Sequence, residues 1–142
     1  MRCVSTARAI ATRAHSEQKR SDGKPYITHP RAVASLVAHE GRGYECVAWL
    51  HDVVEDTDFT ISGIIEEGFD QDIVDAIIAL TKVEGEPYSS YLLRACCDTI
   101  ATSVKIADLT HNLSDHPRNT RRDKYEASKM FLELSKIYEN KQ

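Results

Sequence analysis

At 142 residues, with 22 acidic against 18 basic side chains and a formal charge of −4, the chain has the size of one domain able to bury a core and no excess of positive charge for nucleic acid or an acidic membrane. The one basic stretch, Arg118 to Lys124, is short and broken by Asn119, Thr120 and Asp123. No segment approaches a membrane span, the N-terminus lacks the apolar core of a signal peptide, and Cys3, Cys46, Cys96 and Cys97 show no CxxC spacing, which suits reduced thiols in a cytoplasmic protein.

In chain order, Val4, Ala7, Ala11 and Ala14 repeat at helical spacing and predict a first helix, ended by the loop KRSDGKPYI with Gly23 and Pro25. THPRAVASLVAHE predicts a second, with Pro30 early, Val33, Leu36 and Val37 facing inward, and Gly41 and Gly43 breaking it. A third is predicted from about Tyr44 to Glu55, with Val47, Leu50 and Val54 on one stripe. Thr60 suits the cap of a short helix that stops at Gly68, and Asp70 the cap of the next, which buries Ile73, Ile77 and Leu80. After KVEGEP a helix carries Tyr88, Tyr91, Leu92 and Ala95; TIATSVKIADLTHNL continues helical, and YEASKMFLELSKIYE closes the chain as an amphipathic helix. Strand-type alternation is missing throughout. The expected class is all-α, a compact bundle of about six or seven helices, and no composition shift marks a domain boundary within 1–142.

The stretch LHDVVEDT crowds Asp52, Glu55 and Asp56 beside His51. Like charges three and four residues apart repel on a helix, so either water solvates this group or a cation sits on it. His51 and Glu55 stand four apart and Asp52 and Glu55 three apart, on neighbouring strips of a regular helix. Imidazole with carboxylate is a good ligand set for a divalent first-row metal. Two further polar intrusions interrupt apolar helical sequence: Asp108 in SVKIADLTHNL falls on the side of Val104, with Asn112 one turn on, and His29 in PYITHP stands at a helix start between two prolines. Singly, each has a plain structural explanation: a loop or capping histidine, a solvated acidic face, a misjudged boundary. Three intrusions of metal-ligand type together point to a site.

GKPYITHPRAVA, LHDVVEDT and KIADLTHNL, in that order, resemble the HD-domain metal phosphohydrolases, and within them the hydrolase domain of the RelA/SpoT family, which removes the 3′-pyrophosphate from (p)ppGpp. The similarity runs from about Ala7 to Asn112, and the length resembles that of stand-alone hydrolases without a synthetase domain. The resemblance implies a single HD-type hydrolase domain over 1–142 that binds a small-molecule nucleotide. It implies that His29, His51, Asp52 and Asp108 hold one metal, typically Mn²⁺, and that Glu55 and Asp56 work on the attacking water and its proton transfers. By the same resemblance Asn112 lines the nucleotide site, Arg20 packs against the base and Lys82 contacts phosphate. Three positions depart from the family pattern: Ser21 replaces a lysine after Arg20, ADLTHNL replaces ADRLHN, and LSDHP follows Asn112 in place of an Arg-Thr-Leu type sequence. They leave the metal ligands and the acidic pair intact and bear on guanine and distal phosphates.

Two other readings fit an HD resemblance. A general HD-type nucleotidase or phosphatase need have neither Glu55–Asp56 nor the PYITHP segment. A nucleotide-sensing module without turnover would be free to lose a ligand or an acid, and none is missing. A cyclic-dinucleotide phosphodiesterase of the HD-GYP type is disfavoured because the chain has no Gly-Tyr-Pro string. His15, His39, His111 and His116 receive no role from the sequence; for His111 a supporting place behind the metal ligands stays open, with a surface or core place favoured.

Overall fold

Helical spacing of small and branched residues builds the elements one after another in the computed structural model, which describes residues 3–140. α1 (Val4–Ala14), α2 (Thr28–Val37) and a short 3₁₀ turn (Ala38–Glu40) lead into α3 (Arg42–Leu50) and α4 (Val53–Asp56). α5 (Ile61–Glu66), α6 (Gln71–Leu80), α7 (Tyr88–Cys96), α8 (Thr99–Ser114) and α9 (Asn119–Asn140) complete the chain. No strand occurs among the described residues; the one isolated bridge, Lys19 with Pro25, pins the loop between α1 and α2. The class is all-α as expected; the described residues form nine α-helices against the six or seven expected, and one predicted helix is among those cut in two.

α3 explains the layout. Cys46, Val47, Ala48, Trp49 and Leu50 are all buried, so the second half of this helix is apolar all round and takes the centre of the bundle. α1, α2, α6 and α8 pack around it. Gly41 (φ 137°) ends the preceding turn in a backbone region closed to most side chains. Gly43, by contrast, lies inside the first turn of α3 rather than breaking anything. Leu36 is 44% exposed, on the outer face of α2, whereas Val33 and Val37 point inward as the spacing predicts. Thr60 caps α5 through its hydroxyl, accepting from the Gly63 N–H at 3.0 Å. Asp70 holds the capping position of α6 without a side-chain cap bond.

The predicted helix from Tyr44 to Glu55 is interrupted at His51–Asp52. Asp52 adopts φ −106° and ψ −2°, off the helical values, and α4 restarts as a single turn. On a continuous helix, adjacent side chains diverge by about 100°, so His51 and Asp52 could not face one point. The break removes that divergence.

α9 lies along α8 and touches α7. It buries Ser128 and Leu132, while Met130, Leu134, Ile137 and Tyr138 are more than half exposed on its outer face. No described helix is long and apolar enough to cross a membrane.

Candidate active site

His29 comes from the first turn of α2, His51 and Asp52 from the α3–α4 break, and Asp108 from the buried stripe of α8 that also carries Val104. One ligand atom from each lies within 4.8 Å of all the others. His29 Nε2 is 2.7 Å from Asp108 Oδ1 and 3.8 Å from Asp52 Oδ2. His51 Nε2 is 3.0 Å from Asp52 Oδ2 and 3.4 Å from Asp108 Oδ1. Donors about 2.1 Å from a first-row ion stand about 3 Å apart when adjacent, so this spacing suits one such ion.

The state of His51 supports that fit. Its Nδ1–H donates to the Ala48 carbonyl at 2.6 Å, which turns the Nε2 lone pair toward the cluster. Nε2 is buried and forms no hydrogen bond. Burial acts to lower the His51 pKa, but the Asp52 and Asp108 carboxylates outweigh it and carry the value well above the ordinary one. Burial would raise Asp52, yet His51 and His29 bring it to about 2. Asp108 resists burial likewise and is held well below the usual carboxylate range, chiefly by Lys105 and then by the two histidines. Positive charge is favoured at the centre of these four side chains.

Neighbours fix the donors in place. Tyr26 Oη donates to Asp52 Oδ2 at 2.6 Å, and Lys105 Nζ to Asp108 Oδ2 at 2.8 Å. His29 Nδ1 meets His111 Nδ1 at 2.7 Å. With His29 Nε2 among the donors, its Nδ1 carries the hydrogen and His111 accepts. Burial, with His29 and Arg20 adding to it, lowers the His111 pKa, which favours the neutral ring that an acceptor needs. His111 therefore backs the cluster instead of filling a surface or core place. His39 and His116 are exposed.

Glu55 and Asp56 stand at the rim, grouped with Asp52 rather than with His51. Glu55 Oε1 accepts the Lys82 backbone N–H at 2.8 Å. Partial burial, with Asp52 and Glu55 adding to it, pushes the Asp56 pKa up to about 6.

Above the rim opens a cleft of about 380 Å³, lined among others by Arg20, Lys82 and Asn112. In its lining Arg20 is paired with Asp115, and its Nη2 lies 3.5 Å from Asn112 Oδ1. In the same cleft three ammonium groups gather on two phenol rings. Lys82 Nζ lies 5.4 Å from the Tyr88 ring and 5.5 Å from that of Tyr91; Lys105 stands 5.4 Å over Tyr91, and Lys124 3.9 Å over Tyr88. Lys105 lies three residues before Asp108 in a string already conspicuous in the sequence, so helical spacing could have found it. Lys124 and Tyr88 meet only because α9 packs on α7, and no sequence signal announces that.

A family model described as HD domain matches residues 7–140. The guanosine-3′,5′-bis(diphosphate) 3′-pyrophosphohydrolase of Haemophilus influenzae is 37% identical, over 89% of this chain and 21% of its own length. The bifunctional (p)ppGpp synthase/hydrolase SpoT of Escherichia coli is 33% identical, over 73% of this chain and 16% of its own. The chain thus spans about a fifth or less of the curated relatives it matches. A solved structure titled as a metazoan ortholog of SpoT that hydrolyzes ppGpp superposes with a TM-score of 0.75 at 24% identity, covering 93% of this chain and 84% of that one. That likeness is one of fold.

Proposed function

The chain belongs to the HD domain family, and we propose that it is a Mn²⁺-dependent hydrolase that removes the 3′-pyrophosphate of (p)ppGpp or of a closely related nucleotide. The observation that carries the reading is the pairing of a four-donor cluster, with its unbonded and buried His51 Nε2, and a rim acid pair beneath a cleft ringed by Lys82, Lys105 and Lys124. His29, His51, Asp52 and Asp108 would hold the ion, which lowers the pKa of a water and offsets charge on phosphoryl oxygens when bound. Glu55, with one oxygen committed to the Lys82 N–H, presents the other to the attacking water. Asp56, its pKa pushed up to about 6, takes up a proton and can return it to the ribose 3′-oxygen as the bond from that oxygen to phosphorus breaks. The three lysines answer the charge of the departing pyrophosphate.

The departures from the family pattern find places within this scheme. Leu109, in place of an arginine, is buried in the core and does not reach the cleft. Asp115, in the altered LSDHP segment, holds Arg20. Arg20 so tied serves as a flat platform for the base rather than as a phosphate ligand. Arg20→Ala is expected to raise KM about tenfold or more while kcat changes little, measured by steady-state kinetics.

The test of the function is a turnover screen of Mn²⁺-loaded protein against ppGpp, pppGpp, ppApp, 3′-phosphorylated dinucleotides and simple nucleotides. Release of pyrophosphate from ppGpp with the highest kcat/KM supports the reading. Preference for simple nucleotides would replace it with a general nucleotidase, and no turnover with a sensing module.

Metal binding has its own readout. Mn²⁺ is expected to raise Tm increasingly with its free concentration, the linkage being about 2.7 kcal/mol at one hundred times Kd. Calorimetry with and without chelator checks this. A Tm indifferent to both would make the acids a solvated face.

A further inference from the structure

We infer that Gln18 and His15 are positioning residues for Asp56, forming a two-bond relay from the end of α1 to the end of α4 that fixes where the Asp56 carboxylate stands. The inference rests on the hydrolase reading above and adds residues that act through Asp56 without touching substrate.

α4 is one turn long, Val53–Asp56, and a helix this short cannot hold its own last residue firmly. Its final carbonyl, that of Asp56, is met by Gln18 Nε2 at 2.5 Å, from a segment distant in sequence. A carbonyl only accepts, so this end of the Gln18 amide is the NH₂ group. The amide oxygen is thereby turned to His15 Nδ1, also at 2.5 Å. That oxygen only accepts as well, so Nδ1 carries the ring hydrogen. The tautomer of His15, the orientation of Gln18 and the seat of the Asp56 backbone are thus determined together.

The base of the relay is firm. His15 is 1% exposed and stands 4.8 Å, centroid to centroid, from the Tyr26 ring. The Gln18 N–H donates to the His15 carbonyl at 3.0 Å, and the Gln18 carbonyl accepts from the Tyr26 N–H at 2.9 Å. Tyr26 in turn donates through its hydroxyl to Asp52. One short segment therefore sets both Asp52, a proposed metal donor, and Asp56, a proposed proton carrier. His15 Nε2, left without hydrogen, is buried and unpartnered. An apolar residue would fill that space without an unsatisfied nitrogen, so what histidine contributes here is the Nδ1–H.

The test uses the whole chain, Mn²⁺-loaded, on ppGpp. Gln18→Leu and His15→Leu are expected to lower kcat about tenfold, with KM and bound metal within about twofold of the parent. His15→Asn, whose amide nitrogen stands where Nδ1 does, is expected to restore most of kcat. In an Asp56→Asn background, Gln18→Leu is expected to cost little more, because its effect runs through the group already removed. An unchanged kcat in Gln18→Leu, equal losses in His15→Asn and His15→Leu, or a full further loss in the Asp56→Asn background would each overturn the relay. If the parent turns over no nucleotide, the hydrolase reading falls, and amide hydrogen exchange at Asp56 and Thr57 then decides the relay. Exchange faster in Gln18→Leu and His15→Leu but not in His15→Asn supports it; equal exchange in all variants overturns it.

Discussion

Replacing His51 or Asp52 with alanine is expected to abolish stoichiometric Mn²⁺ binding and, with it, hydrolysis. Asp52 Oδ2 stands 3.0 Å from His51 Nε2, and each of these atoms is also near another donor, Oδ2 of Asp52 near His29 and Nε2 of His51 near Asp108. Removing either leaves the remaining donors without a shared centre. The two substitutions differ in what they leave behind. Without Asp52, the Tyr26 hydroxyl loses its acceptor and His51 loses the nearer of its two flanking carboxylates. Without His51, Asp52 and Asp108 lose a partner that holds both pKa values down, so both carboxyls take up protons more readily. Elemental analysis after gel filtration reads the metal, and pyrophosphate release reads the activity. Metal retained at parental level in the double variant would remove these residues from the site.

The second large effect is reserved for the acids at the rim. Glu55→Gln and Asp56→Asn keep shape, and in the first of them the new amide oxygen can still accept the Lys82 N–H, but neither amide can take a proton near neutrality. Each variant is expected to keep its metal and lose roughly 10²-fold or more in kcat, with a much smaller change in KM. The pH profile separates the two. A carboxylate acting as base works when deprotonated, so activity falls as pH drops through its pKa. For Asp56 that value is pushed up to about 6, and a bound cation pulls it lower, so the acidic limb of kcat/KM lies at or below pH 6. Asp56→Asn is expected to flatten this limb. Full activity in both amide variants would refute the acidic-pair mechanism and leave a metal-binding HD domain.

Asp108 is legible in the sequence because it interrupts an apolar helical stripe, and an interruption is visible against a regular period; His29 is legible because it stands at a helix start between two prolines. His51 and Asp52 are legible as a doublet, but their geometry is not. Periodicity assumes a continuous helix, and one off-helical dihedral at Asp52 is a tertiary outcome that carries no propensity signal. Helical spacing from Val33 places Leu36 inward, yet the inward stripe of α2 passes to one side of it. His15 and Gln18 lie in the first loop, where no period exists, and their roles depend on a contact with Asp56 across the fold. Lys124 reaches the cleft only through the packing of α9.

The break between α3 and α4 also sets a limit on engineering this protein. A search for stabilising substitutions by helix propensity would choose the junction early, because a good helix former at Asp52 joins two helices into one and removes a backbone irregularity. A substitution that succeeded would give a straighter and more heat-resistant α3, and would turn positions 51 and 52 about 100° apart. Thermal stability and activity are therefore opposed at this one peptide unit, and a variant library screened on melting temperature alone would enrich proteins that fold better and do nothing.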